Sequence, residues 1–394
     1  MFRRRWSGLP VDPIYPSNLS ELGYFINDQD EIRSLENPDC YFNFFLTKNE
    51  RWNDRRGFAL NESINNVVSS RLDDLGLKKL LLPLGTTDPN EKHAPIRVSP
   101  DLDTKSRVVL IFGEPNQALG ICAYRICDGP GGINKGSMVG FVKALQEQRS
   151  SDTDDSPPGI VLANMGELWW WPEGKKGLPQ PARQRIPMSS AVHLDRVYSR
   201  GTNTIPENGN RKEHVRYMFE KVLPAIGSKG AKIDIIAIGE SAEEVEGYLN
   251  NGDVWARVGG QLNSMVILSG FYDSADFTCD GFKTFIKERA RAYIPEGSPA
   301  DTPIAGPSGN PGCPAFTSFG CPVFSAGEEC NMTELILVEA EACILKWLQL
   351  VAEQGEKYKN PDTEIFEDAR RGHSAETEES EAAGEEGEEG LEPW

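Results

Sequence analysis

Histidine is nearly absent from this chain: four in 394 residues, at His93, His193, His214 and His373. That scarcity limits any hydroxyl nucleophile that needs an imidazole base, and it limits zinc, whose sites combine histidine and cysteine at short spacings. Eight cysteines are present, yet none forms a C-x-x-C pair and none has a histidine close by. The expectation is free thiols, no metal site and no cofactor. Long apolar runs are missing too. Nothing approaches the roughly 18 to 20 residues that a membrane-spanning helix needs. After the basic start at Arg3, Arg4 and Arg5 come Gly8, Pro10 and Pro13, where a secretory signal would carry an apolar stretch. These absences predict a soluble chain with no membrane partner.

Positive charge is also short: 41 lysines and arginines face 60 carboxylates, for a formal net charge of -19. Much of the excess sits in residues 374–394, which hold nine glutamates and no lysine or arginine. Nucleic-acid affinity comes mainly from cations that displace counterions from phosphates, so direct, extensive nucleic-acid binding is not expected. The composition divides the chain into an N-terminal arm (1–17), one α/β domain (18–359) and an acidic tail (360–394). The tail is too poor in apolar residues to offset the entropy of ordering.

Apolar periodicity supplies the coarse architecture. Residues 22–28 and 41–47 read as two strands of an N-terminal β-hairpin, and residues 50–77 as an amphipathic helix. Near-continuous apolar runs at 107–112, 159–164, 233–239 and 261–269, with a shorter one at 322–326, read as strands buried on both faces. Helical spacing lies between them at 137–147, 211–223, 241–249 and 282–293, and again at 333–352. Strand and helix in alternation predict an α/β fold: a mostly parallel sheet with helices on both faces.

The sharpest chemical signal is Gly239-Glu240-Ser241-Ala242-Glu243, between a buried strand and a helix. A G-x-S-x-G nucleophile elbow would put its serine there, but Glu243 holds the second glycine position. No histidine follows the last strand, where Ser325 to Asn331 stand. His193 is the substitute base, and Ser241 as a helix N-cap is the bland alternative. The loop with Gly131 and Gly132 could hold an anion or act as an oxyanion hole, although it lacks the spacing of a nucleotide P-loop. Trp169, Trp170 and Trp171 follow the 159–164 strand at the carboxyl-end rim of the sheet, where at least one is expected to be exposed for a partner. Arg183 and Arg185, with Arg196 and Arg200, form a local basic cluster that could meet an acidic partner.

The runs LGYFIND at 22–28 and YFNFFLTKNERWNDRR at 41–56, with Trp52 in a polar helix start, resemble the opening of the Argonaute-binding-protein-two (Arb-two) domain family. The likeness continues through RVVLIFGEP, GIVLANMGE, EHVRYMFEKVL, IDIIAIGESAEEV and CPVFSAG, and so covers most of residues 18–352. The resemblance implies an α/β-hydrolase-like fold. Some members carry histidine, serine, a variable residue and paired glycines at the elbow; here Glu240 replaces the histidine and Glu243 and Glu244 the glycines. A histidine that some relatives keep after the last strand corresponds to about Asn331. The resemblance therefore implies a non-catalytic scaffold, nuclear and cytoplasmic, that binds Argonaute-type or chromatin-silencing proteins in small-RNA-directed heterochromatin formation. The alternative is a serine esterase or amidase with Ser241 as nucleophile, His193 as base and the Gly131–Gly132 loop as oxyanion donor. A third reading is a small-ligand module that reuses the cleft without chemistry.

Overall fold

The computed structural model describes residues 8–193 and 196–363. The acidic segment from residue 364 onward, with His373, and the first seven residues of the arm lie outside the described residues. Residues 8–17 of the arm dock on the domain. Asp12, buried, accepts both Nε and Nη2 of Arg51 at 2.6 Å and the Met188 amide at 2.8 Å. Arg51 in turn donates to the carbonyls of Gln184 and Ile186.

The N-terminal hairpin pairs β1 (Tyr24–Ile26) with β2 (Ile32–Ser34), antiparallel. The second strand is thus earlier than the pattern at 41–47 suggests. Asn27 closes the turn by accepting the amides of Gln29 and Glu31, and Asp30 takes a positive φ, which together bring the chain back within a few residues. Residues 41–47 are irregular and lay Phe42 against Tyr24 instead.

The main sheet has nine strands: β3 (Lys78–Leu82), β4 (Ala94–Val98), β5 (Arg107–Phe112), β6 (Gly159–Ala163), β9 (Lys232–Ile238), β10 (Leu262–Leu268), β11 (Ala290–Ile294), β12 (Pro303–Ala305) and β13 (Val323–Ser325). The two strands left over, β7 (Trp169–Trp171) and β8 (Lys176–Leu178), form a separate antiparallel ribbon. Across the sheet the order is β3-β4-β6-β5-β9-β10-β11-β13-β12. All pairs from β6 to β13 are parallel, while β3, β4 and β12 run against their neighbours. One reversal at β5 and β6, and an antiparallel second strand, give the strand order of α/β-hydrolases.

Side chains alternate across the sheet. Val109 and Ile111 of β5 join the apolar layer beneath α1 (Glu50–Asp74), α2 (Met138–Gln146) and α6 (Glu341–Gln354). Val108, Leu110 and Phe112 join the opposite layer, covered by α3 (Arg211–Tyr217), α4 (Ser241–Leu249) and α5 (Asp280–Arg289). Helices therefore cover both faces, as the continuous apolar strands require. The expected helix at 282–293 ends at Arg289, and ARAYI becomes β11; the expected helix at 333–352 is broken at Ala340. One ion pair is sealed between strands: Arg107 Nε lies 2.5 Å from Asp234 Oδ2, both with essentially no solvent contact. Asn263 and Ser264 donate to the other Asp234 oxygen, and Arg107 also donates to the Arg149 and Leu348 carbonyls.

Candidate functional site

The chain reverses direction across the sheet at β5, so the carboxyl ends of β5 and β9 form the crevice where open α/β sheets place ligands. Gly239 makes the turn out of β9 with φ +60°, a conformation glycine adopts without a Cβ penalty. Glu240 follows with ordinary helical angles at the half-buried tip of the turn, where it pairs with Arg211. Ser241 is already the first helical residue of α4 and is fully buried. Its hydroxyl donates to the Gly113 carbonyl at the end of β5, 2.6 Å away. The N-cap reading is corrected by the same contact, because the hydroxyl faces a strand carbonyl and accepts no helix amide.

Among the described residues no histidine hydrogen-bonds Ser241. His193 lies in a loop, its Nδ1 2.8 Å from Ser190 Oγ, so the proposed base sits beside a different serine. His214 is sealed under β6: Nε2 accepts the Asn164 amide at 3.1 Å, which leaves Nδ1–H to donate to Asn208 Oδ1 at 2.7 Å. Burial drives its pKa down to about 3, so it is a neutral structural ring. His93 stands edge-on to Trp170, with its Nδ1 2.8 Å from the Glu91 carbonyl.

The expected oxyanion loop is also otherwise engaged. Gly131 and Gly132 both take positive φ and open a one-turn helix, and a Cβ on Gly132 would fall 2.5 Å from the Asp30 carbonyl oxygen. The amides that follow are spent on Asp30: Ile133 donates to its carbonyl and Asn134 to its carboxylate at 2.7 Å. Arg71 completes the arrangement at 2.6 Å from Asp30. The loop does hold an anion, and that anion belongs to the chain's own hairpin.

The rim around Ser241 is acidic. Burial raises the pKa of Glu114, with the charges of Glu334 and Glu240 adding to it while hydrogen bonds from Asn116 oppose it. Next to Gly113 and Gln117 the enclosed space is only about 20 Å³, room for little more than a water molecule. A negative, filled crevice is poorly matched to a developing oxyanion.

The tryptophans depart from expectation as well. All three are buried, because β7 alternates them between two small apolar clusters. Trp169 and Trp171 pack with Phe58, Leu178 and Ile186; Trp170 packs with Ala94 and Ile205. Two half-buried arginines lie nearby: Arg183, its guanidinium 5.2 Å above the Trp169 ring, and Arg185, which sits over Phe44 and pairs with Asp54. Glu240, which stands where some family members carry a histidine, is half-buried at the turn and pairs with Arg211.

A family model for the Arb2 domain matches residues 15–300. The chain belongs to the Arb2 domain family. Among relatives, the cotranscriptional regulator ARB2A homolog of Xenopus tropicalis is 26% identical over 58% of this chain and 57% of its own length. The cotranscriptional regulator ARB2A of Mus musculus is 24% identical, over 53% of this chain and 54% of its own. The chain thus spans little more than half the length of these relatives. Among solved structures, the peroxisomal α/β-hydrolase Lpx1 of Saccharomyces cerevisiae aligns over 78% of this chain and 96% of its own, at 8% identity and a TM-score of 0.33. Esterase Est22 aligns over 74% and 87%, at 10% identity and a TM-score of 0.31.

Proposed function

We propose that this Arb2-domain protein is a non-catalytic regulator that acts by binding other proteins in transcription-linked complexes. The observation that carries the reading is the Ser241 hydroxyl, shut away from solvent and committed to the Gly113 carbonyl, with every described histidine hydrogen-bonded elsewhere. A serine nucleophile needs a base within hydrogen-bond reach and an accessible oxygen. The cotranscriptional-regulator relatives support the regulatory side of the reading, and with it a nuclear place of action; a cytoplasmic pool is part of the proposal alone. The finer proposal is that the partners are Argonaute-type or chromatin-silencing proteins. Arg183 and Arg185 make the contact, Arg183 carried on the buried Trp169 ring and Arg185 on Phe44.

The test is affinity purification of the tagged protein and of its Ser241→Ala variant from nuclear and cytoplasmic fractions, with mass spectrometry, beside labelling with a fluorophosphonate. The expected result is equal recovery of transcription or silencing factors with both proteins, and no label on either. Labelling that disappears in Ser241→Ala would restore the esterase reading, and recovery of no such factor would remove the regulatory one.

A further inference from the structure

A large cleft in the described structure lies away from Ser241. It encloses about 780 Å³ between the first half of α1, the 42–45 segment, the 178–185 loop and the polar ends of the 116–128 stretch. That is the size of sites that take up small molecules, which run roughly 300 to 1,000 Å³. We propose that this cleft binds an organic cation with an apolar body, a substituted ammonium.

The lining is graded along α1. Gly57 and Phe58 face it near one end, then Asn61 and Glu62, then Asn65. At about 1.5 Å per helical residue the gradient runs over about 12 Å. At the aromatic end stand Phe42, Phe44, Phe45 and Phe58. Cations already settle on these rings: Arg56 lies 4.5 Å over Phe42, Arg185 5.5 Å over Phe44 and Lys176 5.9 Å over Phe58. Phe45 is 80% exposed at the mouth, with no such cation over its ring. An aromatic wall of this kind favours ammonium groups through the ring quadrupole.

The polar end has more carboxylates than cations. Glu62 is paired with Lys176, and Glu334 with Arg125 at 2.6 Å. Asp128 and Glu167 line the same space and, among the described residues, form no ion pair within 4 Å; Glu167 accepts from the Leu119 amide and the Asn164 carboxamide. Burial pushes Asp128 up to about 6 against the opposing charge of Arg125, and raises Glu167 against its hydrogen bonds and the charge of Lys79. A cation placed there adds to the partial compensation that Arg125 and Lys79 give these carboxylates. The groups facing the cleft are Glu62 from α1, Arg125 and Asp128, Glu167 after β6, Arg185, and Glu334, with Lys176 of β8 beside Glu62. Among those that line it none is a histidine, so binding should strengthen as pH rises from 5 to 7 and Asp128 ionises. This inference does not depend on whether Ser241 is inert.

The test is calorimetry with benzyltrimethylammonium on the whole chain, with benzenesulfonate as the control of opposite charge. The expected Kd for so small a ligand is on the order of 0.1–1 mM. Asp128→Asn and Phe45→Ala should each weaken it roughly fivefold; Phe45 is exposed, so its removal leaves the fold intact. Benzenesulfonate should give no heat. Equal binding of the two ions, no heat from the ammonium, or unchanged affinity in both variants would overturn the assignment.

Discussion

His214 gives a quantitative handle on the fold. It is held neutral by burial with a folded pKa of about 3, against 6.5 for the free side chain. The unfolded chain takes up a proton below 6.5 that the native ring refuses until near 3. Stability from this residue is therefore complete above pH 6.5 and falls as pH falls, by about 1.4 kcal/mol per unit well below 6.5. At pH 5 the loss is about 2 kcal/mol. Other groups act in the opposite sense. Burial raises Asp128 to about 6 and Glu246 to about 7, so lowering pH relieves them. The difference between wild type and His214→Gln isolates the ring, because glutamine can both accept from the Asn164 amide and donate to Asn208. Urea unfolding at pH 7, 6 and 5 should show wild type losing about 2 kcal/mol relative to the variant across that range. A flat difference, or an NMR titration of His214 with a midpoint near 6.5, would refute the sealed-ring account.

Removing one member of the Arg107–Asp234 pair, as in Arg107→Met, should cost about 3–5 kcal/mol in denaturant unfolding, whereas Arg107→Met with Asp234→Leu should recover much of it. Asp12→Ala should cost about 2–4 kcal/mol, because it strands the buried Arg51 guanidinium; protease cleavage near residues 184–191 should become faster. Trp170→Ala should cost about 3–5 kcal/mol by calorimetric melting, the loss typical of a deleted core aromatic, and not the small change expected of a surface contact.

The sheet was legible because strands buried on both faces write themselves as unbroken apolar runs, as RVVLIF and IDIIAI do. Strands β3 and β4 were not, since KKLLL, at the sheet's edge, and APIRV, one strand in, carry polar residues and a proline. β11 was hidden by its direct junction with α5, which leaves no glycine or proline to mark the change of period. The position of Ser241 beside the turn was legible, but its orientation was not. Whether a hydroxyl faces solvent or the Gly113 carbonyl depends on a shift of one residue in the turn, and no spacing rule carries that. The tryptophans misled for a related reason: a strand alternates its faces, and here each face met its own apolar layer. The cleft has no signature in any one stretch, because its walls come from segments scattered between residues 42 and 334.

The Asp30 carboxylate in the glycine loop sets how the protein can be divided. The hairpin supplies the fixed counter-ion for Arg71 and for an amide that would otherwise face empty space. A fragment trimmed to start at α1 would keep every strand of the main sheet and yet lose this partly exposed counter-ion, leaving Arg71 and the Asn134 amide to solvent. A fragment that keeps the hairpin should therefore be the more stable of the two in urea unfolding.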